Sequence, residues 1–210
     1  MCAMDVTLDV GDERYPGRLN VPDAETDSGI LMVPGAGHGP FGDVFLRFAR
    51  TAANSGHQVA RFETWPFPTD LEAKTDADFA AELEASVDFL RDRGCETITV
   101  VAKSFGGRIA LWHLPEAVDR LVLWAPAILA GDHDDEPSIS DDDLASIEIP
   151  VRLLQGDEDT LSMENAAALV DALPTGELVE LPGEDHSFRR DHERVIAETM
   201  SFLPESPTHD

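Results

Sequence analysis

Positive charge is scarce in this chain. Fifteen Lys and Arg stand against 42 Asp and Glu, a formal net charge of −27, and Lys74 and Lys103 are the only lysines. A nucleic-acid binder needs a basic footprint, so that class is excluded. An anionic membrane would repel the same surface. Cysteine is as rare: Cys2 and Cys95 stand far apart and fit neither a disulfide framework nor a metal site. A reducing interior is expected. No apolar run approaches the ~20 residues of a membrane span. The opening MCAMDVTLDV lacks the basic and continuous apolar regions of a signal peptide. The chain is therefore expected to be cytoplasmic, with no membrane or nucleic-acid partner.

The acids are spread along the whole sequence rather than gathered in a tail. At ordinary salt such a surface repels itself and destabilises the compact state. At molar salt the Debye length falls to about 3 Å and that repulsion fades. The composition predicts a halophilic protein working in a salt-rich cytoplasm. What remains is ordinary: 210 residues, 42% hydrophobic, with 15 Gly and 14 Pro. That length predicts one domain over residues 1–203 and a loose tail at 204–210. A chain of this size buries roughly 70% of its unfolded surface, so no metal, disulfide or cofactor is expected as a staple.

Residues 4–10 and 14–21 alternate like the strands of a hairpin. From residue 28 the pattern changes to short apolar runs separated by helical periods. Strands are predicted at 28–33, 57–62, 97–102, 121–124, 149–154 and 177–181. Helices are predicted at 42–55, 75–93, 105–114, 162–172 and 190–203, with an acidic loop at 131–143. Such alternation predicts an α/β fold, a mostly parallel sheet with helices on both faces. Chemistry in these sheets gathers at the carboxyl ends of strands, which confines the search to a few loops.

One of them reads A-K-S-F-G-G, residues 102–107, between a strand and a helix. A serine on such a tight turn is pushed out above the sheet, and small residues two before and two after let backbone segments approach. Ser104 is the candidate nucleophile. It needs a base, and the base needs an orienting carboxylate. The loop Q-G-D-E-D-T at 155–160 offers Asp159, with Asp157 as runner-up, and P-G-E-D-H-S-F at 182–188 offers His186. The chain order Ser, Asp, His is the one expected for this triad on an α/β sheet. An oxyanion hole needs two backbone N–H donors. Phe105, next to the serine, is one candidate. Ala36 in P-G-A-G-H-G, residues 34–39, is the other, with Gly37 next. That loop lacks a phosphate-binding continuation. Gly37, His38, Trp65 and Phe67 are candidates for the substrate pocket.

Together P-G-A-G-H-G, A-K-S-F-G-G-R, Q-G-D-E-D and G-E-D-H-S-F resemble the α/β-hydrolase superfamily, in its small, lid-poor, dienelactone-hydrolase-like branch. R-F-E-T-W-P-F at 61–67 resembles a segment of the same relatives. The resemblance covers about residues 28–203. It implies an α/β-hydrolase fold without a cap domain, with Ser104 as nucleophile, Asp159 as acid and His186 as base. Two positions depart from the pattern. Dienelactone hydrolases carry a cysteine nucleophile where this chain has serine, and the first elbow glycine is Ala102. The expected activity is hydrolysis of a small ester or thioester through an acyl-enzyme. C–C hydrolysis or perhydrolysis by the same triad, or a non-catalytic receptor on the same fold, are the alternatives. The expected partner is a small ester-like molecule, for a monomer or homodimer. The clustered oxygens of 131–143 suit a hard cation in principle, but they lack an EF-hand pattern and read as solvated acidic surface.

Overall fold

The computed structural model describes residues 1–36 and 39–204. Eight strands form one sheet: β1 (Cys2–Val10), β2 (Glu13–Val21), β3 (Ser28–Val33), β4 (Gln58–Phe62), β5 (Thr97–Lys103), β6 (Arg120–Trp124), β9 (Val151–Gly156) and β10 (Gly176–Leu181). Between β6 and β9 lie two-residue strands, β7 (Leu129–Ala130) and β8 (Ser138–Ile139), which pair in a small separate ladder. The main sheet runs β1-β2-β4-β3-β5-β6-β9-β10. The hairpin β1–β2 is antiparallel and joins β4 antiparallel; all other neighbours are parallel.

Every residue of β3 is buried, as is typical of a parallel strand covered on both faces. The side chains still alternate between two layers. Leu31, Val33, Ile98, Val100, Ala102, Leu121 and Leu123 enter one core. Ile30, Met32, Val101, Val122 and Trp124 enter the other. The first core is covered by α3 (Asp76–Arg91), α4 (Phe105–Trp112) and α6 (Met163–Ala172). The second is covered by α1 (Asp43–Asn54) and α7 (His192–Met200). Trp124 anchors this second layer: Phe45 and Phe48 pack on its ring, and its Nε1 donates to Thr199 Oγ1 at 2.9 Å.

Two elements differ from the sequence expectation. A short helix, α2 (Pro68–Ala73), precedes α3. It buries no residue, so it carries no apolar period to read, and its start is fixed by Pro68. The acidic loop at 131–143 is partly ordered: it contains β8 and runs into α5 (Asp141–Ala145). Ser140 caps α5 by accepting from Asp143 N–H at 3.2 Å, and Asp141, Asp142 and Asp143 sit in its first turn, where the helix dipole favours negative charge. Among the described residues no helix is long and apolar enough to cross a membrane.

Candidate active site

β5 ends at Lys103, and Ser104 turns the chain into α4 with φ 51° and ψ −116°. This left-handed backbone is sparsely populated by residues other than glycine and has to be held by its surroundings. Its backbone is engaged on both sides: Ser104 N–H donates to Trp124 O, and Ser104 O accepts from Ala127 N–H and Gly107 N–H, each at 2.9 Å, and from Arg108 N–H at 3.3 Å. A Cβ at Gly106 would lie 2.4 Å from Pro34 O, so only glycine lets α4 start this close to the end of β3. That contact brings the loop after β3 beside the serine. A Cβ built on Gly35 would stand 3.1 Å from Ser104 Cβ.

The acid and base loops meet by a similar close approach. A Cβ at Gly156, the last residue of β9, would fall 2.1 Å from Glu184 O. The two loops therefore touch backbone to backbone. His186 Nε2 lies 2.8 Å from Ser104 Oγ, and its Nδ1 lies 2.9 Å from Asp159 Oδ2. The Asp159 side chain is 0% exposed and the imidazole 36% exposed. Burial pushes the Asp159 carboxyl up, but the hydrogen bonds from His186 and from Leu161 N–H outweigh it and hold it below its ordinary value. Asp157 points elsewhere: it is exposed and accepts from Gly183 N–H at 2.5 Å. Of the two acids, Asp159 is the one brought to His186.

Phe105 is the first residue of α4, a position whose N–H has no intrahelical acceptor. Ala36 is exposed in the turn that follows β3. Gly37 and His38 lie outside the described residues. The two aromatic candidates for the substrate pocket, Trp65 and Phe67, part company. Trp65 is only 4% exposed; it packs edge-on against Phe79 and Phe105 and donates from Nε1 to Gly35 O at 3.4 Å. It is a floor beneath the loop after β3 rather than a wall facing substrate. Phe67, 64% exposed, faces solvent at the start of α2. Behind Trp65 is a cavity of about 20 Å³ lined by Pro34, Thr64, Phe79 and Glu82. That is room for about one water molecule.

Sequence reasoning missed Lys103. Its ammonium donates to His186 O and lies 4.3 Å from the centroid of the Phe188 ring. The partner carbonyl is 83 residues away in sequence, and no local pattern announces such a contact. Among the described residues no group of three or more His, Cys, Asp or Glu could hold a metal ion, the acidic segment included.

A model of the family described as "Alpha/beta hydrolase domain" matches residues 26–201. The chain belongs to the α/β-hydrolase family. Solved structures agree in fold. Est1E from Butyrivibrio proteoclasticus is similar with a TM-score of 0.78 at 15% identity, covering 94% of this chain and 96% of its own. A dienelactone hydrolase from Anabaena variabilis gives 0.76 at 18% identity, covering 97% and 99%. An a/b serine hydrolase without lid from Xanthomonas campestris gives 0.75 at 21% identity, covering 98% and 97%. No curated protein matches the chain. There is no cap domain among the described residues: the segment between β6 and β9 holds only β7, β8 and α5.

Proposed function

We propose that this α/β-hydrolase is a serine hydrolase of small esters or thioesters. The observation that carries the reading is the hydrogen-bonded line Ser104 Oγ, His186, Asp159, with the serine on a strained turn. His186 Nε2 takes the Ser104 proton as Oγ attacks the substrate carbonyl. Asp159 accepts from Nδ1–H, which fixes the imidazole tautomer and stabilises the imidazolium that forms. The N–H groups of Phe105 and Ala36 receive the developing oxyanion. His186 returns the proton to the leaving alcohol or thiol. It then activates water to release the acyl group and regenerate Ser104. The imidazole's exposure and the short segment between β6 and β9 leave no cap over the serine, which favours compact acyl groups over long lipid chains. The names of the structural neighbours, a dienelactone hydrolase and a serine hydrolase without lid among them, agree with this chemistry.

The test is labelling by a fluorophosphonate probe in ~3 M KCl, where surface charge is screened. Labelling of the wild type that vanishes in Ser104→Ala supports the reading and justifies an ester and thioester screen. Absence of labelling in protein shown folded by circular dichroism refutes it and turns attention to a non-catalytic receptor. Within the same triad chemistry, the screen also separates ester hydrolysis from C–C bond cleavage and perhydrolysis.

A further inference from the structure

Both neighbours of Ser104 in sequence carry unusual burdens. Phe105 begins the helix, whereas Lys103 brings a positive charge into the end of the sheet. The groups facing that charge come from two loops. Asp159 approaches from the loop after β9; Glu184, Asp185, the His186 carbonyl and the Phe188 ring approach from the loop after β10. Phe188 is itself 0% exposed with φ 53°, so this loop, like the serine turn, is held in a sparsely populated conformation. Each carboxylate has other donors: His186 and Leu161 for Asp159, Arg190 and Asp191 backbone for Glu184, and Ser187 backbone for Asp185. None depends on the lysine alone. Among the described residues, only Lys103 donates to the His186 carbonyl.

We propose that Lys103 is a positioning residue whose ammonium clamps the His186 loop to the end of β5, keeping the imidazole aimed at Ser104 Oγ. This rests on the serine-hydrolase reading. Nucleophile and clamp are consecutive residues, so the strand that presents the hydroxyl also fixes the backbone of its base. A charge-assisted hydrogen bond to a carbonyl is stronger than a neutral one, and the aromatic face beside it adds a cation–π attraction. Burial pushes the Lys103 ammonium down to about 8, with Asp159, Asp185 and Glu184 pulling the other way. The clamp therefore loses its charge in mildly alkaline solution, and turnover falls there.

The sign for stability is opposite. Between about 8 and the ordinary lysine value of 10.5 the unfolded chain binds more protons at this site, so folding gains stability as pH rises through that window. Below it, the charged lysine opposes folding. Burial disfavours the charged lysine, and the carboxylates around it keep their other donors, so an apolar side chain of similar length removes that cost without stranding a charge. Clamp and filler thus make different predictions for Lys103→Met.

The experiment compares wild type, Lys103→Met and Lys103→Arg in ~3 M KCl. The measurements are fluorophosphonate labelling, ester turnover from pH 6 to 10, melting temperature, and hydrogen exchange of peptide 182–190. The expected result for Lys103→Met is kcat lower by about 10- to 100-fold, the scale of a misplaced catalytic group, with KM nearly unchanged and melting temperature equal or higher. Its residual rate shows no fall near pH 8, and peptide 182–190 exchanges faster. Lys103→Arg, which keeps its charge, recovers most of the rate and moves the alkaline fall upward. Wild-type kcat and pH profile in Lys103→Met overturn the proposal. So does a rate loss matched by a lower melting temperature. Absence of labelling in the wild type refutes the hydrolase reading instead. The exchange measurement then decides the clamp alone: unchanged protection of 182–190 in Lys103→Met overturns it, and faster exchange upholds it.

Discussion

In the N-terminal hairpin, Arg14 pairs with Asp9 at 2.9 Å and Arg18 pairs with Asp5, all four side chains largely in solvent. At the carboxyl edge of the sheet, Asp159 is sealed from solvent and Lys103 touches a carbonyl and a ring. Backbone follows the same division. The hairpin register is regular from Cys2–Val21 to Val10–Glu13, with a glycine at its one positive φ, Gly11. The three non-glycine residues with positive φ among those described, Ser104, Ala125 and Phe188, all lie in turns after β5, β6 and β10. Such conformations cost on the order of 1–3 kcal/mol each and persist where surrounding structure over-determines them. Exposed ion pairs contribute about 0–1 kcal/mol. Charge on the hairpin is a matter of solvation; charge at the carboxyl edge is a matter of geometry.

Substitutions can break this contrast. The largest expected effect is on chemistry. Asp159→Asn keeps the shape but removes the anion that fixes the imidazole tautomer, and ester turnover should drop about 10⁴-fold. The matching hairpin change, Asp9→Asn, should leave turnover as it was. Second, Gly156→Ala drives a methyl group into Glu184 O and separates the acid loop from the base loop. An overpacked site of this kind costs about 1–3 kcal/mol, at about 2–4 °C of melting temperature per kcal/mol for a domain this size. Calorimetry should record the fall together with slower probe labelling.

Acid sharpens the comparison further. The folded Asp159 carboxyl sits below its ordinary value of 3.8. Its contribution to stability is therefore fully present above that value and is lost as pH falls through the folded value. Melting curves at pH 7 and pH 3 should show a larger acid loss for wild type than for Asp159→Asn. Equal losses would mean that the buried carboxylate is not stabilised by its partners. The smallest effect belongs to the hairpin: Arg14→Gln should change stability by less than about 0.5 kcal/mol, and by less still at molar salt.

The same contrast explains what could be read from sequence. Strand ends are short and few, so Ser104, Asp159 and His186 could be picked from loops after β5, β9 and β10 by position and residue type. The choice between Asp159 and Asp157 needed coordinates, because two residues of loop decide which carboxylate turns inward. Trp65 was legible as an aromatic near the site, but its depth was not: a ring beside a strand end has the same sequence signature whether it floors the site or walls it. Helix α2 escaped because a helix that buries nothing has no apolar period. β7, β8 and α5 escaped because two-residue strands and a five-residue helix are too short for periodicity, although Ser140 and Asp143 do carry the spacing of a cap. Lys103 escaped because its meaning lies wholly in a contact across the fold.

The engagement of both lysines has a practical side. Lys74 is bonded to Glu82 and Tyr15, and Lys103 to the His186 loop. An amine-directed dye, crosslinker or resin thus finds no freely solvated lysine to react with. A tag forced onto either one would disturb the structure it is meant to report. The exposed thiol of Cys2 on the hairpin, or carboxylate coupling with 42 acidic side chains to draw on, is the workable way to attach this protein to a dye or a surface.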